Sequence, residues 1–324
     1  MASSFKFINM SNTAFGKQGW MTNHIKTIDG RTYLITGANA GAGFEAAKIL
    51  LSKNAEVVML NRNEEKTKQA IAVLKAELGD AIKVSYVKTD LAQLDSVRAA
   101  AEKIKVKFTK IDALICNAAV AQIAKQEFTF DGFESQLGIN YCGHFLLTNL
   151  LFETLEKSLG RIVVVGSEGY KMGLKTIQFD DMNFDNNYNP MNTYCHSKLA
   201  QMMFAYELQN RIEAAGKKVQ VYVCHPGASR TSLINEKASR TDRILFSVMA
   251  LLPIVQSAEK GSYPEVMCAT EDHLRQKAYY GPTGTMQWKG PVGECKIEPF
   301  VFDRDIASKL WERSEKATAC HWNM

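Results

Sequence analysis

The sequence predicts an α/β fold: one doubly wound parallel sheet of about seven strands, with helices on both faces. Three observations carry this. Short apolar runs alternate with stretches of helical period along most of the chain. The first apolar run leads directly into a glycine-rich turn and then a helical pattern. No Pro/Gly/Ser-rich linker and no internal repeat interrupts the alternation, so a single domain is the economical reading.

Residues 1–29 are polar with scattered aromatics and read as an N-terminal arm. Thr32-Tyr33-Leu34-Ile35 is the first buried strand, and Phe44 to Leu51 has helical periodicity. Glu56–Leu60 is a second strand, followed by a charged helix from Glu64 to Leu78. Ile82–Val87 is a third strand, with a helix from Leu94 to Phe108 behind it. Ile111–Cys116, Arg161–Val165 and Val219–Cys224 are the fourth to sixth strands. Long helical patterns occupy Ile139–Leu155 and Thr193–Ile212. The domain is expected to span 30–281. From there the chain is richer in Gly, Pro and Trp, and 282–324 reads as a C-terminal extension packed on the same domain.

Composition narrows the function classes. The 324 residues carry a formal charge of +5, with 46% hydrophobic and 23% charged residues, as in ordinary globular proteins. The densest basic cluster, Lys103, Lys107 and Lys110, falls on one helical face without interleaved aromatics, which argues against a nucleic-acid partner. Seven cysteines (Cys116, Cys142, Cys195, Cys224, Cys268, Cys295, Cys320) form no Cys-x-x-Cys pair. This argues against a disulfide framework or a metal site and for a reducing, cytoplasmic compartment. The opening residues lack a signal-peptide pattern, and no apolar run reaches membrane-spanning length. The longest, Ile244–Val255, contains Pro253.

The turn Thr36-Gly37-Ala38-Asn39-Ala40-Gly41-Ala42-Gly43 reads as a phosphate cradle. Glycine lets the backbone turn tightly and approach a ligand, and free N–H groups at a helix start attract anions. Gly37, Asn39, Gly41, Ala42 and Gly43 are therefore the candidate nucleotide contacts; a purely structural Gly/Ala turn is the alternative. The second strand ends in Asn61-Arg62. No carboxylate stands there to bind a ribose 2′-hydroxyl, and Arg62 can pair with a 2′-phosphate, which favours NADP over NAD. Asp90 follows the third strand, suited to an adenine amino group or to a helix N-cap.

Tyr194 and Lys198 are the catalytic candidates. Their i, i+4 spacing puts both on one helix face, and an ammonium beside a phenol favours the phenolate. Lys198 can also hold the nicotinamide ribose. Ser167, at the end of the fifth strand, is placed to steady a substrate carbonyl. Asn140 lies in an apolar helical stretch, where a buried amide needs partners. It serves either as a structural amide at a kink or as the holder of a water in a proton path to Lys198, or both. His225 reads as structural. Cys142 and Cys195 lack a defined base, so thiol catalysis is not expected.

Together these residues resemble the short-chain dehydrogenases/reductases. The resemblance runs from Gly30 to Gly281 and rests on Thr36-Gly37-x-x-x-Gly41-x-Gly43, Asp90-Leu91, Asn117-Ala118-Ala119, Asn140, Ser167, Tyr194, Lys198 and Pro226-Gly227. It implies a Rossmann-type domain and an oxidoreductase interconverting an alcohol and a carbonyl with NADP(H). Asn140, Ser167, Tyr194 and Lys198 would be its catalytic set. It further implies that Leu91, Asn117, Pro226, Gly227 and Thr231 contact the cofactor, and that residues 229–262 form a substrate lid. An apolar lid suggests a lipophilic substrate; a core helix, a dimer contact and a membrane-surface patch are alternatives for its apolar stretch. A homodimer or homotetramer is expected by the same resemblance. The long Ser167-to-Tyr194 interval and the Gly143-His144-Phe145-Leu146-Leu147-Thr148 segment are similar to the retinol dehydrogenase and protochlorophyllide reductase branch. Gly166 and Ala119 depart from the family's usual Ser and Gly. A catalytically silent NADP-binding sensor on the same fold is the alternative function.

Overall fold

A computed structural model of the chain describes residues 15–229, 237–249, 252 and 254–324. Among these residues one eight-stranded sheet has the order β3-β2-β1-β4-β5-β6-β7-β8, one strand more than the expected seven or so. The strands are β1 (Thr32–Thr36), β2 (Glu56–Asn61), β3 (Lys83–Lys88), β4 (Ala113–Cys116), β5 (Arg161–Val165), β6 (Gln220–Cys224), β7 (Tyr279–Pro282) and β8 (Val292–Cys295). β1 to β7 run parallel, and β8 returns antiparallel on β7. Strand order reverses between β1 and β4, which opens a crevice beyond the carboxyl ends of these strands.

Period-two side chains feed two cores. In β1, Leu34 faces one core while Tyr33 and Ile35 face the other. The Tyr33 side is covered by α1 (Gly41–Leu51), α2 (Glu64–Leu78) and α8 (Ala258–Thr270), through Ala46, Leu74 and Val266. The Leu34 side is covered by α3 (Leu94–Lys107), α5 (Gly143–Lys157), α6 (Pro190–Ala214) and α9 (Arg304–Ala317), through Val97, Phe145, Phe204 and Trp311. Two further helical pieces fall within the chain between these: α4 (Ser135–Leu137), just before α5, and α7 (Arg240–Met249), between α6 and α8.

The expected helix at Ile139–Leu155 is not uniform. α4 passes through a π turn, Gly138–Cys142, before α5 begins. Helical periodicity in sequence does not register one inserted residue. The boundary expected at 281–282 falls inside β7, and 282–324 supplies β8 and α9 to the same body. Trp311 and Trp322 meet at a tilt with centroids 4.9 Å apart and pack on Phe145, Phe152 and Phe204, sheathing α5 and α6. In the arm, Trp20 is buried and its backbone N–H donates to the Val292 carbonyl (2.9 Å), so residues 15–29 pack rather than hang loose. Among the described residues no helix is long and apolar enough to cross a membrane.

Candidate active site

The carboxyl edge of the sheet collects nearly all the residues singled out above. Gly37 has φ +68 and Gly41 has φ +61, a region that side-chain-bearing residues avoid. A β-carbon on Gly37 would lie 3.0 Å from Ala118. One on Gly43 would meet the Asn117 amide. That amide is committed to the turn: Nδ2 donates to the Thr36 carbonyl (2.8 Å) and the Gly37 carbonyl (3.3 Å). Asn61 braces the other side, its Oδ1 accepting from the Ala38 N–H at 2.8 Å. The sequence reading noted at Asn61 only the missing carboxylate; its bracing role depends on a contact across the sheet.

The cradle fits a phosphate. The N-cap of α1 is Ala40, whose side chain cannot accept a hydrogen bond, and the first turn holds no carboxylate. Its N–H groups therefore have no side-chain acceptor, and the helix dipole favours an anion there. Asn39 is half-buried in the turn and Ala42 is buried beneath it. Arg62 is exposed just past β2 and forms no salt bridge among the described residues. Asp90 is not the N-cap of α3; that position is Gln93. Instead Asp90 Oδ1 accepts from the Ala92 N–H at 3.0 Å. Leu91 is buried, and its carbonyl lies 2.7 Å from where a β-carbon on Gly143 would be, so α5 starts against it.

On the other flank, Ser167 lies just beyond β5 as N-cap of a short turn, Glu168–Lys171, its Oγ accepting from the Gly169 N–H (3.1 Å). Tyr194 and Lys198 sit in the second and third turns of α6, which is capped by Asn189 and opened by Pro190. Both are buried. A β-carbon on Gly169 would lie 3.1 Å from the Tyr194 ring and 3.2 Å from Ser167 Oγ, so the missing side chain makes room for the pair. Burial pushes the Tyr194 phenol up to about 12, opposed by a hydrogen bond with Ser167. Lys198 is not what perturbs it here. The ammonium donates to the Val165 carbonyl (2.9 Å) and Gln201 Oε1 (3.0 Å), and burial lowers it to about 8. The expected lowering of the phenol by Lys198 is thus absent in this geometry, because the ammonium is held by other acceptors.

Asn140 is the central residue of the π turn and fully buried. Its Oδ1 accepts from the Val120 N–H (2.8 Å), and its Nδ2 donates to the Val120 carbonyl (3.0 Å) and Ser197 Oγ (2.9 Å). Pro226 and Gly227 follow β6. Gly227 has φ +64, and a β-carbon there would strike the Trp288 carbonyl, which accepts from the Ala228 N–H at 2.8 Å. Gln287 Nε2 reaches Glu168 Oε1 at 3.1 Å. The loop 284–290 therefore braces the ends of both β5 and β6, a role that sequence reading assigned to no residue.

Thr231 lies outside the described residues. In the expected lid, Ile244, Leu245 and Val248 of α7 are exposed, so α7 is not a core helix. The lid segment is rooted by Gln256, which contacts the Pro226 and Ala228 carbonyls at 2.6 and 2.8 Å. His225 is buried on Tyr279 and lowered to about 3 by desolvation, so it is neutral. Burial pushes the Cys195 thiol up to about 11 and raises Cys142 as well, which disfavours a thiolate. His196 accepts from the Gln178 N–H and does not face Cys195 as a base.

Comparisons with known proteins show similarity to short-chain dehydrogenases. The short chain dehydrogenase family matches residues 31–242. Retinol dehydrogenase 14 of Homo sapiens is 38% identical over 309 residues, covering 89% of this chain and 86% of its own length. Retinol dehydrogenase 12 of Homo sapiens is 31% identical over 331 residues, covering 99% and 98%. Polyprenol dehydrogenase of Homo sapiens is 31% identical over 294 residues, covering 89% and 85%. The crystal structure of an uncharacterized protein from Mycobacterium paratuberculosis superposes with TM-score 0.77 at 31% identity, covering 94% of this chain and all of that one.

Proposed function

This chain belongs to the short-chain dehydrogenase family, in its retinol dehydrogenase-like branch, and on that premise we propose that it interconverts a lipophilic alcohol and its ketone or aldehyde with NADP(H). As a member it is an NAD(P)-dependent oxidoreductase acting on CH–OH groups. The observation that carries the finer reading is Tyr194, buried on the same helix as Lys198 and paired with the half-buried Ser167 beyond β5, at the sheet's carboxyl edge and within reach of the glycine turn's crevice. The choice of NADP is supported by the exposed Arg62 and by Asn61, rather than a carboxylate, at the end of β2. A lipophilic substrate is supported by relatives named for retinol and polyprenol, both long apolar alcohols.

In this proposal the N–H groups of Gly41, Ala42 and Gly43 hold the pyrophosphate, with Gly37 and Asn39 shaping the approach. Arg62 meets the 2′-phosphate. Asp90, Leu91 and the backbone at Asn117 would line the adenosine side; Pro226 and Gly227 would line the nicotinamide. The bound nicotinamide supplies or accepts the hydride. Ser167 orients the substrate oxygen. Tyr194, held protonated by burial, gives that oxygen its proton in the reductive direction. Lys198 turns from Val165 toward the ribose hydroxyls, and Asn140 steadies the water path behind it. A reducing compartment belongs to the same reading, supported by seven free cysteines.

The test is a panel of aliphatic, aromatic, retinoid and steroid carbonyls followed by NADPH absorbance, with Tyr194→Phe in parallel. General acid catalysis is worth roughly 10²–10⁴-fold, so the variant is expected to lose at least a hundredfold in kcat while binding NADPH normally. Absence of turnover across the panel, with tight NADPH binding, would point instead to the silent sensor.

A further inference from the structure

A continuous line of hydrogen bonds joins the glycine turn to the start of α6. Thr36, the last residue of β1, accepts from the Ala118 N–H at 3.0 Å and lies 2.9 Å from His144 Nε2. His144, in the first turn of α5, is buried, and its Nδ1 lies 2.9 Å from the Asn140 carbonyl. A carbonyl only accepts, so Nδ1 carries the proton and Nε2 is the acceptor. The Thr36 hydroxyl then donates to Nε2 at 2.9 Å in preference to the Ile115 carbonyl at 3.3 Å. Desolvation lowers His144 to about 4, which keeps the ring neutral and this tautomer in place at neutral pH. Beyond Asn140 the line continues to Ser197 Oγ, which donates to the Tyr194 carbonyl at 2.7 Å.

The π turn explains why this line matters. Its wider spacing loosens the carbonyl ladder at Gly138–Cys142, and the His144 side chain gives one of these carbonyls a donor. Removing that donor favours return to the α register. Each residue in an α-helix is turned by about 100° from the last, with 3.6 per turn, so a one-residue slip swings the Asn140 amide away from Val120 and Ser197.

We infer that His144 is a positioning residue for the hydride transfer proposed above, on which this inference rests: it locks the π turn that aims Asn140 and ties the end of β1 to the turn of α6 carrying Tyr194 and Lys198. It touches neither substrate nor cofactor, so its effect falls on kcat rather than on binding.

Three variants separate this role from packing. His144→Asn keeps a donor at the δ position, toward the Asn140 carbonyl, and gives up Thr36. His144→Gln keeps a polar group at the ε position, toward Thr36, and gives up the carbonyl. His144→Phe keeps ring bulk and neither bond. Turnover, carbonyl KM, NADPH Kd and melting temperature are measured for each beside the wild type. Expected is a loss of at least tenfold in kcat for His144→Gln and His144→Phe, with KM and Kd within about twofold, and recovery of most of kcat in His144→Asn. Equal losses in His144→Asn and His144→Gln, or a kcat that simply follows melting temperature, would overturn the positioning role while wild-type turnover keeps the reaction standing. No carbonyl turnover by the wild type would remove the reaction, and this inference with it.

Discussion

The Asn117 side-chain amide fills the space that a β-carbon on Gly43 would need, and from there it donates to the Thr36 carbonyl at 2.8 Å. A residue from just past β4 thereby holds the glycine turn after β1 in shape. The start of α1 is left with aligned N–H groups and a cap residue, Ala40, that satisfies none of them with its side chain.

Ala40→Asp tests whether that open end exists for an anion. Ala40 already has the extended backbone of an N-cap, with φ −161 and ψ 164. A carboxylate there would cap the helix and stabilise the cofactor-free protein by about 1 kcal/mol. The same charge would repel a phosphate, so NADPH affinity is expected to fall at least tenfold. Calorimetric melting and fluorescence titration read the two effects, and unchanged affinity would place the phosphates elsewhere.

Arg62→Ala addresses cofactor choice. If its guanidinium pairs with the 2′-phosphate, KM for NADPH rises at least tenfold, about 1.4 kcal/mol, while KM for NADH stays within about twofold. Equal changes for both cofactors would mean that Arg62 only faces solvent.

Lys198 predicts a pH profile. Burial lowers its ammonium to about 8, so the charge is lost as pH rises through that value. Reductive kcat/KM is expected to fall with unit slope above pH 8. Stability moves oppositely: the unfolded chain keeps this proton up to the usual lysine range near 10.4, so this group adds stability between about pH 8 and that range. A rate profile flat to pH 9.5 would rule out a required ammonium.

Glu265, on the buried face of α8, has neither carboxyl oxygen hydrogen-bonded among the described residues, and desolvation pushes it up to about 8. A raised acid contributes stability that is lost as pH climbs from its unfolded value, near 4.3, to its folded one. Glu265→Gln removes the ionisation. The variant should match wild type at pH 4 and gain on it by about 1.4 kcal/mol per pH unit up to pH 8. Urea unfolding at several pH values checks this; a constant difference between the two proteins would disprove it.

Much of the fold is legible because the parallel strands are buried on both faces and so read as unbroken apolar runs, as Val57 to Leu60 shows. β7 and β8 are not. Tyr279–Pro282 and Val292–Cys295 are short and carry Gly or Pro, and β8 joins the sheet through β7. At the site, Tyr194 and Lys198 are legible because helix spacing is local. The bracing by Asn61 and Gln287, and the space left by Gly169, arise from contacts between distant segments and leave no local pattern. The π turn is hidden for the opposite reason: its apolar residues keep a helical look while the backbone has taken in one residue too many.

The sheathing of α5 and α6 by α9 and Trp322 bears on how this protein meets its own copies. Dry aromatic surface on long helices is what a second subunit would otherwise cover, and here the chain has already spent it. Trp311 lies under the Arg211 guanidinium at 4.4 Å, and Tyr141 in the π turn shares a hydrogen bond of 2.6 Å with Ser314 on α9. Association through these helices would first have to peel α9 away and would disturb the turn that aims Asn140. Any pairing between molecules would have to use another face.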